Sequence, residues 1–321
     1  MKRLIAGCIL VMALGGAGSA PAAQTDTAVT LTWLGNAGWQ VSDGNTVILV
    51  DPYLSRILGP APPGAPPLPT VSGPARPSYG WNDRPESDGA TIDAHIHRAD
   101  LVLVTHAHYD HIFDVPYIAR KTGATVVGTE STANILRAYG IAERQLITVR
   151  GGEDYQFTGF SLRVIPSLHS PLDHKHYFSA DTAPRGMKAP LTLQQMHPEG
   201  GTLAYLIRLG GHEILAFGGM NYIERELEGL RPDVVLVGAN ASRRENYDYC
   251  RRLMRVLGYP ALALPTHWDN FLLPYGASQR AALGSLQGFL SELSAASPRT
   301  SVIVPEHFQA IPLAARDSLP K

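Results

Sequence analysis

Apolar and polar positions along this chain follow two rhythms, broken by short, wholly apolar runs. Val29, Leu31 and Trp33 alternate with Thr30 and Thr32, the period of a half-buried strand. Gly35 to Gly38 reads as a turn, and Val47 to Val50 as an apolar strand ended by Asp51-Pro52. Further apolar runs follow at Leu101 to Val104, Ala124 to Val127, Gln145 to Val149 and Phe160 to Ile165. Others lie at Thr202 to Leu209, Ile214 to Phe217, Pro232 to Val237, Ala261 to Leu264 and Ser301 to Val304. Between them the spacing predicts helices over Asp114 to Thr122, Ser131 to Tyr139, Glu245 to Leu257 and Ala281 to Leu293. Strands alternating with helices predict an α/β chain. Gly59 to Gly89 has no period and is dense in Pro, Gly and Ser, so it predicts an extended loop. With Tyr79 and Trp81 embedded, it is either a lid over a site or a solvated insertion.

The chemistry concentrates straight after the apolar run at Leu101. His106, His108, Asp110 and His111 fall within six residues. In extended backbone His106, His108 and Asp110 share one side, and a turn there lets His111 converge from its own direction. Imidazole nitrogens and a carboxylate suit zinc and other borderline first-row metals. A histidine-rich surface loop is the plain alternative, but chance seldom sets these residue types so close behind a buried strand.

Thr105-His106-Ala107-His108-Tyr109-Asp110-His111 resembles the His-x-His-x-Asp-His signature of the metallo-β-lactamase superfamily. The resemblance runs from about Thr30 to about Phe308 and implies a four-layer αββα sandwich with one or two metals at one edge of its sheets. It implies His106, His108 and His169 for the first metal, His169 lying just past the strand from Phe160. It implies Asp110, His111 and His267 for the second, with Asp110 also orienting the nucleophile and carrying a proton to the leaving group. Asp51 resembles an aspartate that sits behind such sites, although a strand-ending turn residue reads equally well. Most relatives bridge the metals with an Asp where this chain has Gly219, so a fully bridged pair is in doubt. Asn221 lies near that position. Asn221, Trp268, His174 and His176 are candidates for contacting substrate; the two histidines are also rivals of His169 for the metal, with a solvated polar loop as their plain alternative. The contexts Asp51-Pro52 and Thr266-His267-Trp268 are similar to the branch holding ascorbate-6-phosphate lactonase and N-acylphosphatidylethanolamine phospholipase D.

Composition adds location and excludes some partners. Lys2 and Arg3 precede an apolar Leu4 to Leu14 and small-residue cleavage sites, predicting a signal peptide over residues 1–23 and a periplasmic or secreted protein. The apolar run falls short of the roughly 20 residues of a spanning helix. The hydrolase domain is then expected over 29–310, with 59–89 as an insertion and no transmembrane anchor once the signal is cleaved. Cys250 would be the remaining cysteine, which rules out an intramolecular disulfide. A net charge of −1 over 321 residues gives no electrostatic case for nucleic acid.

Zinc lowers the pKa of bound water to about 7, so hydroxide becomes available at neutral pH; manganese or iron are alternatives to zinc. The expected function is an exported hydrolase using such a hydroxide on an ester, lactone or phosphodiester of a small or lipid-derived molecule. A periplasmic β-lactamase and a non-catalytic metal-binding homologue are the alternatives. No Gly-x-Ser-x-Gly elbow points to a protein nucleophile.

Overall fold

The computed structural model describes residues 28–60, 68, 75–177 and 179–316. The expected signal peptide lies outside them, as do 61–67 and 69–74 of the expected insertion.

The first half of the chain builds β1 (Thr30–Gly35), β2 (Gly38–Ser42), β3 (Val47–Val50), β4 (Leu101–Leu103), β5 (Thr125–Gly128) and β6 (Leu146–Thr148). The second half builds β7 (Asp154–Gln156), β8 (Phe160–Ser167), β9 (Thr202–Leu209), β10 (His212–Phe217), β11 (Val234–Gly238) and β12 (Leu262–Thr266). Two short strands close it, β13 (Ser301–Val302) and β14 (Ala310–Pro312). They form two sheets, ordered β14-β1-β2-β3-β4-β5-β6 and β13-β12-β11-β10-β9-β8-β7. Each is mixed. β3 to β6 pair in parallel in one and β10 to β13 in the other, with antiparallel strands completing both.

Side-chain alternation turns these sheets into four layers. Leu101 and Leu103 of β4 join Val234 and Leu236 of β11 in one core between the sheets. Val102 points the other way, into a core with Ile92, Ile112, Ile118 and Leu136. Those residues come from α1 (Gly89–His95), α2 (Tyr109–Ile112), α3 (Val115–Thr122) and α4 (Glu130–Ala138). Val235 and Val237 likewise meet Leu227, Leu253 and Phe289, from α5 (Glu224–Leu227), α6 (Tyr249–Val256) and α7 (Arg280–Ala296). Strands covered on both faces have no polar side to show, which is why they read as continuous apolar runs. The αββα sandwich follows.

Several elements differ from the sequence expectation. The helix expected from Glu245 begins at Tyr249, because Ala241–Glu245 is a 3-10 turn and Asp248 takes a left-handed φ of 44°. The pattern does not anticipate β2, β7, β14, α1, α2 or α5. β2 is held by cross-strand pairing, Trp39 opposite Trp33 and Val41 opposite Leu31. Among its described residues the 59–89 stretch has an isolated bridge, Leu58 to Ser78, and packs Tyr79 and Trp81 against the core of the first helical layer. No helix among the described residues is long and apolar enough to cross a membrane.

Candidate metal centre

The carboxyl ends of β3, β4, β8, β10, β11 and β12 open on one edge of the sandwich, where α/β sheets place their ligands. His106 and His108 follow β4, with the loop pinned by the Ala107 amide donating to the Glu199 carbonyl at 3.0 Å. α2 then turns Asp110 and His111 back over the same point. His169 leaves the end of β8, and His267 the end of β12 in a left-handed backbone of φ 54°. The structure thereby brings together His106, His108 and His169 in one cluster and Asp110, His111 and His267 in another. Within each cluster the ligand atoms lie within 4.8 Å of one another. The clusters adjoin, with the His106 and His111 rings 3.9 Å apart.

The donor chemistry fits metal ions. Nε2 of His106 and of His108 is buried without a hydrogen-bond partner, a costly state for a ring nitrogen unless an ion takes its lone pair. His169 Nδ1 faces the Ser170 carbonyl at 2.9 Å, which puts the proton there and leaves Nε2 basic. Asp110 Oδ2 lies 3.4 Å from Nε2 of both His111 and His267. Ligand atoms around tetrahedral zinc lie roughly 3.3 Å apart, given bonds of about 2.0–2.1 Å.

Electrostatics separate the two clusters. Burial, then neighbouring imidazoles, push His106 and His108 well below the ordinary histidine range. Burial takes His169 down to about 4. All three are neutral ligands near pH 7. Burial also opposes charge on His111, but Asp110 and Asp51 outweigh it and raise its pKa to about 10. Burial alone would raise Asp110, yet His111 and His267 hold it well below the carboxylate range. A field that favours a proton on His111 favours a divalent cation in its place, so binding there displaces the proton.

Asp51 stands behind both clusters. Its Oδ2 accepts from His111 Nδ1 at 2.8 Å and from Thr105 Oγ1 at 2.5 Å, and Thr105 Oγ1 in turn lies 3.1 Å from His106 Nδ1. One carboxylate therefore fixes a ring in each cluster, directly in one and through a hydroxyl in the other. A Cβ on Gly218 would strike Thr105 Oγ1, so glycine there is what lets this relay sit against β10.

Asn36 is a second support, to which the sequence assigns no role. At φ 50° in the β1–β2 turn, its amide donates to the Asp110 carbonyl at 2.7 Å and to Asp110 Oδ2 at 3.1 Å. Its own carbonyl accepts from His267 N, Trp33 Nε1 and Thr266 Oγ1. Its N–H donates to Asp269, which is bound to the buried Arg56 at 2.7 Å and to His307 at 2.9 Å.

The position of the expected bridging Asp is Gly219, with an ordinary φ. A Cβ there would lie 2.9 Å from Ser170 Oγ, which accepts from the Met220 amide at 2.7 Å. Ser170 fills the place a bridging side chain would enter.

A cavity of about 110 Å³ opens over both clusters, lined also by Trp81, Tyr109, Leu172, His197, Met220 and Phe271. His197 stacks on His108 at 4.2 Å and lies against Trp81 at 4.7 Å. It comes from a stretch with no periodicity, and nothing in the sequence singles it out. The substrate-contact candidates fall elsewhere. His174 and His176 are exposed and outside the lining, and Trp268 stacks on Trp33 at 5.1 Å in the core. Asn221 is also outside the lining. Its amide supports the His169 carbonyl at 3.1 Å, while its oxygen accepts from Tyr222 N.

Comparison with known proteins agrees with this fold. The family model described as a beta-lactamase superfamily domain matches residues 30–267. A UPF0173 metal-dependent hydrolase of Polynucleobacter asymbioticus is 27% identical over 286 residues, 84% of this chain and 86% of the relative. Its counterpart in Myxococcus xanthus is 26% identical over 289 residues, 89% and 84% of the two chains. The solved structure of Igni18, a metallo hydrolase from Ignicoccus hospitalis, shares the fold with a TM-score of 0.55 at 18% identity, covering 90% of this chain and 99% of that one.

Proposed function

The chain belongs to the metallo-β-lactamase superfamily and is a metal-dependent hydrolase; from that premise we propose that it is exported and cleaves an ester, lactone or phosphodiester. The observation that carries the reading is the pair of adjoining ligand clusters beneath one cavity. His106, His108 and His169 would hold one ion, and Asp110, His111 and His267 a second. Zinc suits this nitrogen-rich set, with manganese or iron as alternatives. When bound, the metal supplies a Lewis acid and an acidified water. The chain's own part is orientation. Asp51 fixes the rings of His106 and His111, and Asn36 holds the Asp110 carboxylate. Asp110, which lines the cavity and is held ionised by His111 and His267, would orient the attacking water and carry its proton to the leaving oxygen. The words around Asp51 and His267, similar to the lactonase and phospholipase branch, support a non-β-lactam substrate. Residues 1–23 support export, which cell fractionation tests.

The functional test is chelation and reloading on a panel of chromogenic esters, lactones, phosphodiesters and a cephalosporin. Activity and thermal stability should fall together and return together, because the ligands come from three separate strand ends. Metal analysis of His169→Ala should show loss from the first cluster, with His174→Ala and His176→Ala keeping full content. Hydrolysis indifferent to prolonged chelation, or faster on the cephalosporin than on the rest, would defeat the proposal.

A further inference from the structure

We propose that His197 is a positioning residue for the first metal cluster, setting the ring plane of His108 by stacking; the proposal rests on the metal-centre reading above. A histidine ring turns about a broad, roughly two-fold torsion. A ligand ring is therefore normally fixed by the hydrogen bond that its other nitrogen makes. His106 has Thr105 Oγ1, His111 has Asp51 and His169 has the Ser170 carbonyl. Among the described residues none hydrogen-bonds to the His108 side chain. What meets that ring is other rings. His106 and His169 stand edge-on to it at 4.7 and 4.6 Å, while His197 lies nearly parallel, 13° from its plane, at 4.2 Å. The edge-on neighbours are ligands of the same cluster, so the flat support comes from His197.

His197 is itself held firmly. Its ring is buried, with Trp81 at 4.7 Å and Tyr109 at 5.7 Å against it. The backbone is fastened on both sides of it. Before it, the amides of Leu193 and Gln194 donate to the carbonyls of Asp83 and Trp81, at 3.0 and 2.9 Å. The 3-10 turn Gln194–Met196 then sets Met196 into the core of the first helical layer. After it, the Glu199 carbonyl receives the amide of Ala107, which stands between His106 and His108, at 3.0 Å. The segment and the ligand loop are thus tied at two points, a backbone hydrogen bond and a ring stack. Trp81 and Asp83 belong to the 59–89 stretch, so that stretch supports the first cluster through His197. A ligand ring held flat is preorganised, whereas one free to rotate turns its nitrogen away from the point where the other two ligands converge.

The test measures zinc affinity by chelator competition on the full chain carrying His267→Ala, which leaves the first cluster as the complete ligand set. His197→Phe keeps a flat ring without nitrogens, and His197→Gln keeps hydrogen-bonding groups without a ring. Affinity in His197→Gln should fall about tenfold or more, while His197→Phe stays close to the unsubstituted value. The visible absorption of the cobalt(II) form should change in His197→Gln and persist in His197→Phe. Unchanged affinity in His197→Gln overturns the inference. So does an equal loss in both variants, which would assign the effect to the ring nitrogens. A loss matched by collapse of the metal-free protein, read by thermal melting, marks a role in the fold alone and also overturns it. Should His197→Gln fail to fold, Trp81→Leu removes a ring that holds His197 and touches neither histidine. It should weaken the first ion by about threefold, and no weakening there overturns the inference. A first cluster that takes no zinc in the chain with His197 intact overturns the metal-centre reading, and the inference with it. One that takes zinc and ignores the residue at 197 overturns the inference alone.

Discussion

Asn36 and Asp110, 74 residues apart in the chain, are joined by two hydrogen bonds from one side-chain amide, at 2.7 Å to the carbonyl and 3.1 Å to the carboxylate. The same residue's carbonyl receives the backbone N–H of His267 at 2.7 Å. Two members of the second cluster are thus oriented by one turn residue. Asn36→Gly keeps the left-handed backbone and deletes the amide. It should weaken metal binding at the second cluster by about ten- to a hundredfold and leave the first cluster unchanged. Chelator competition on the loaded protein measures this, and an unaltered second affinity would show that Asn36 serves the fold alone.

Gly219 and Ser170 make a linked pair. Gly219→Asp alone should gain little affinity, because its Cβ meets Ser170 Oγ at 2.9 Å. Adding Ser170→Ala opens that space and should tighten the second ion. The double variant also strips the Met220 amide of its acceptor, so stability should drop by about 1–3 kcal/mol. Metal stoichiometry and thermal melts are read together. Tight binding by the single variant would refute the steric account.

The buried Arg56–Asp269 pair predicts an acid response. Burial alone would raise Asp269, but Arg56 and His307 outweigh it and hold its pKa at about 2. A folded pKa below the unfolded value near 3.9 gives stability that is complete above that value and is lost as pH falls through it towards 2. One such carboxylate contributes about 2–3 kcal/mol. Urea melts between pH 5 and 2 should show this loss, and Asp269→Asn should flatten it. An unchanged pH slope in the variant would reassign the acid sensitivity.

Cys250 should be chemically silent. Burial, then Glu292, raises its pKa to about 12. At pH 8 the thiolate fraction, and with it the rate of alkylation, should fall about a thousandfold below that of a free thiol of pKa about 8.5. The measurement uses the Cys8→Ser chain with iodoacetamide, before and after unfolding. Fast labelling of the folded protein would contradict the burial.

Some of this molecule is written in local sequence. β4, β10 and β11 are legible because strands covered on both faces need unbroken apolar runs. His106, His108, Asp110 and His111 are legible because a strand end followed by one turn keeps them neighbours in space. β2 and α1 are less so, since a half-buried strand beside a turn and a seven-residue helix carry weak patterns.

The sequence by itself determined which side chains can bind metal and which strand ends could present them, since residue type and apolar period are local properties. Only the tertiary structure decided that His169, not His174 or His176, faces the centre, that Asp51 reaches a ring in each cluster, and that Asn36 and Ser170 hold the places they do. Those contacts join residues 50 to 233 positions apart. They exist because two sheets pack with their carboxyl ends at a common edge, and no stretch of chain records that juxtaposition.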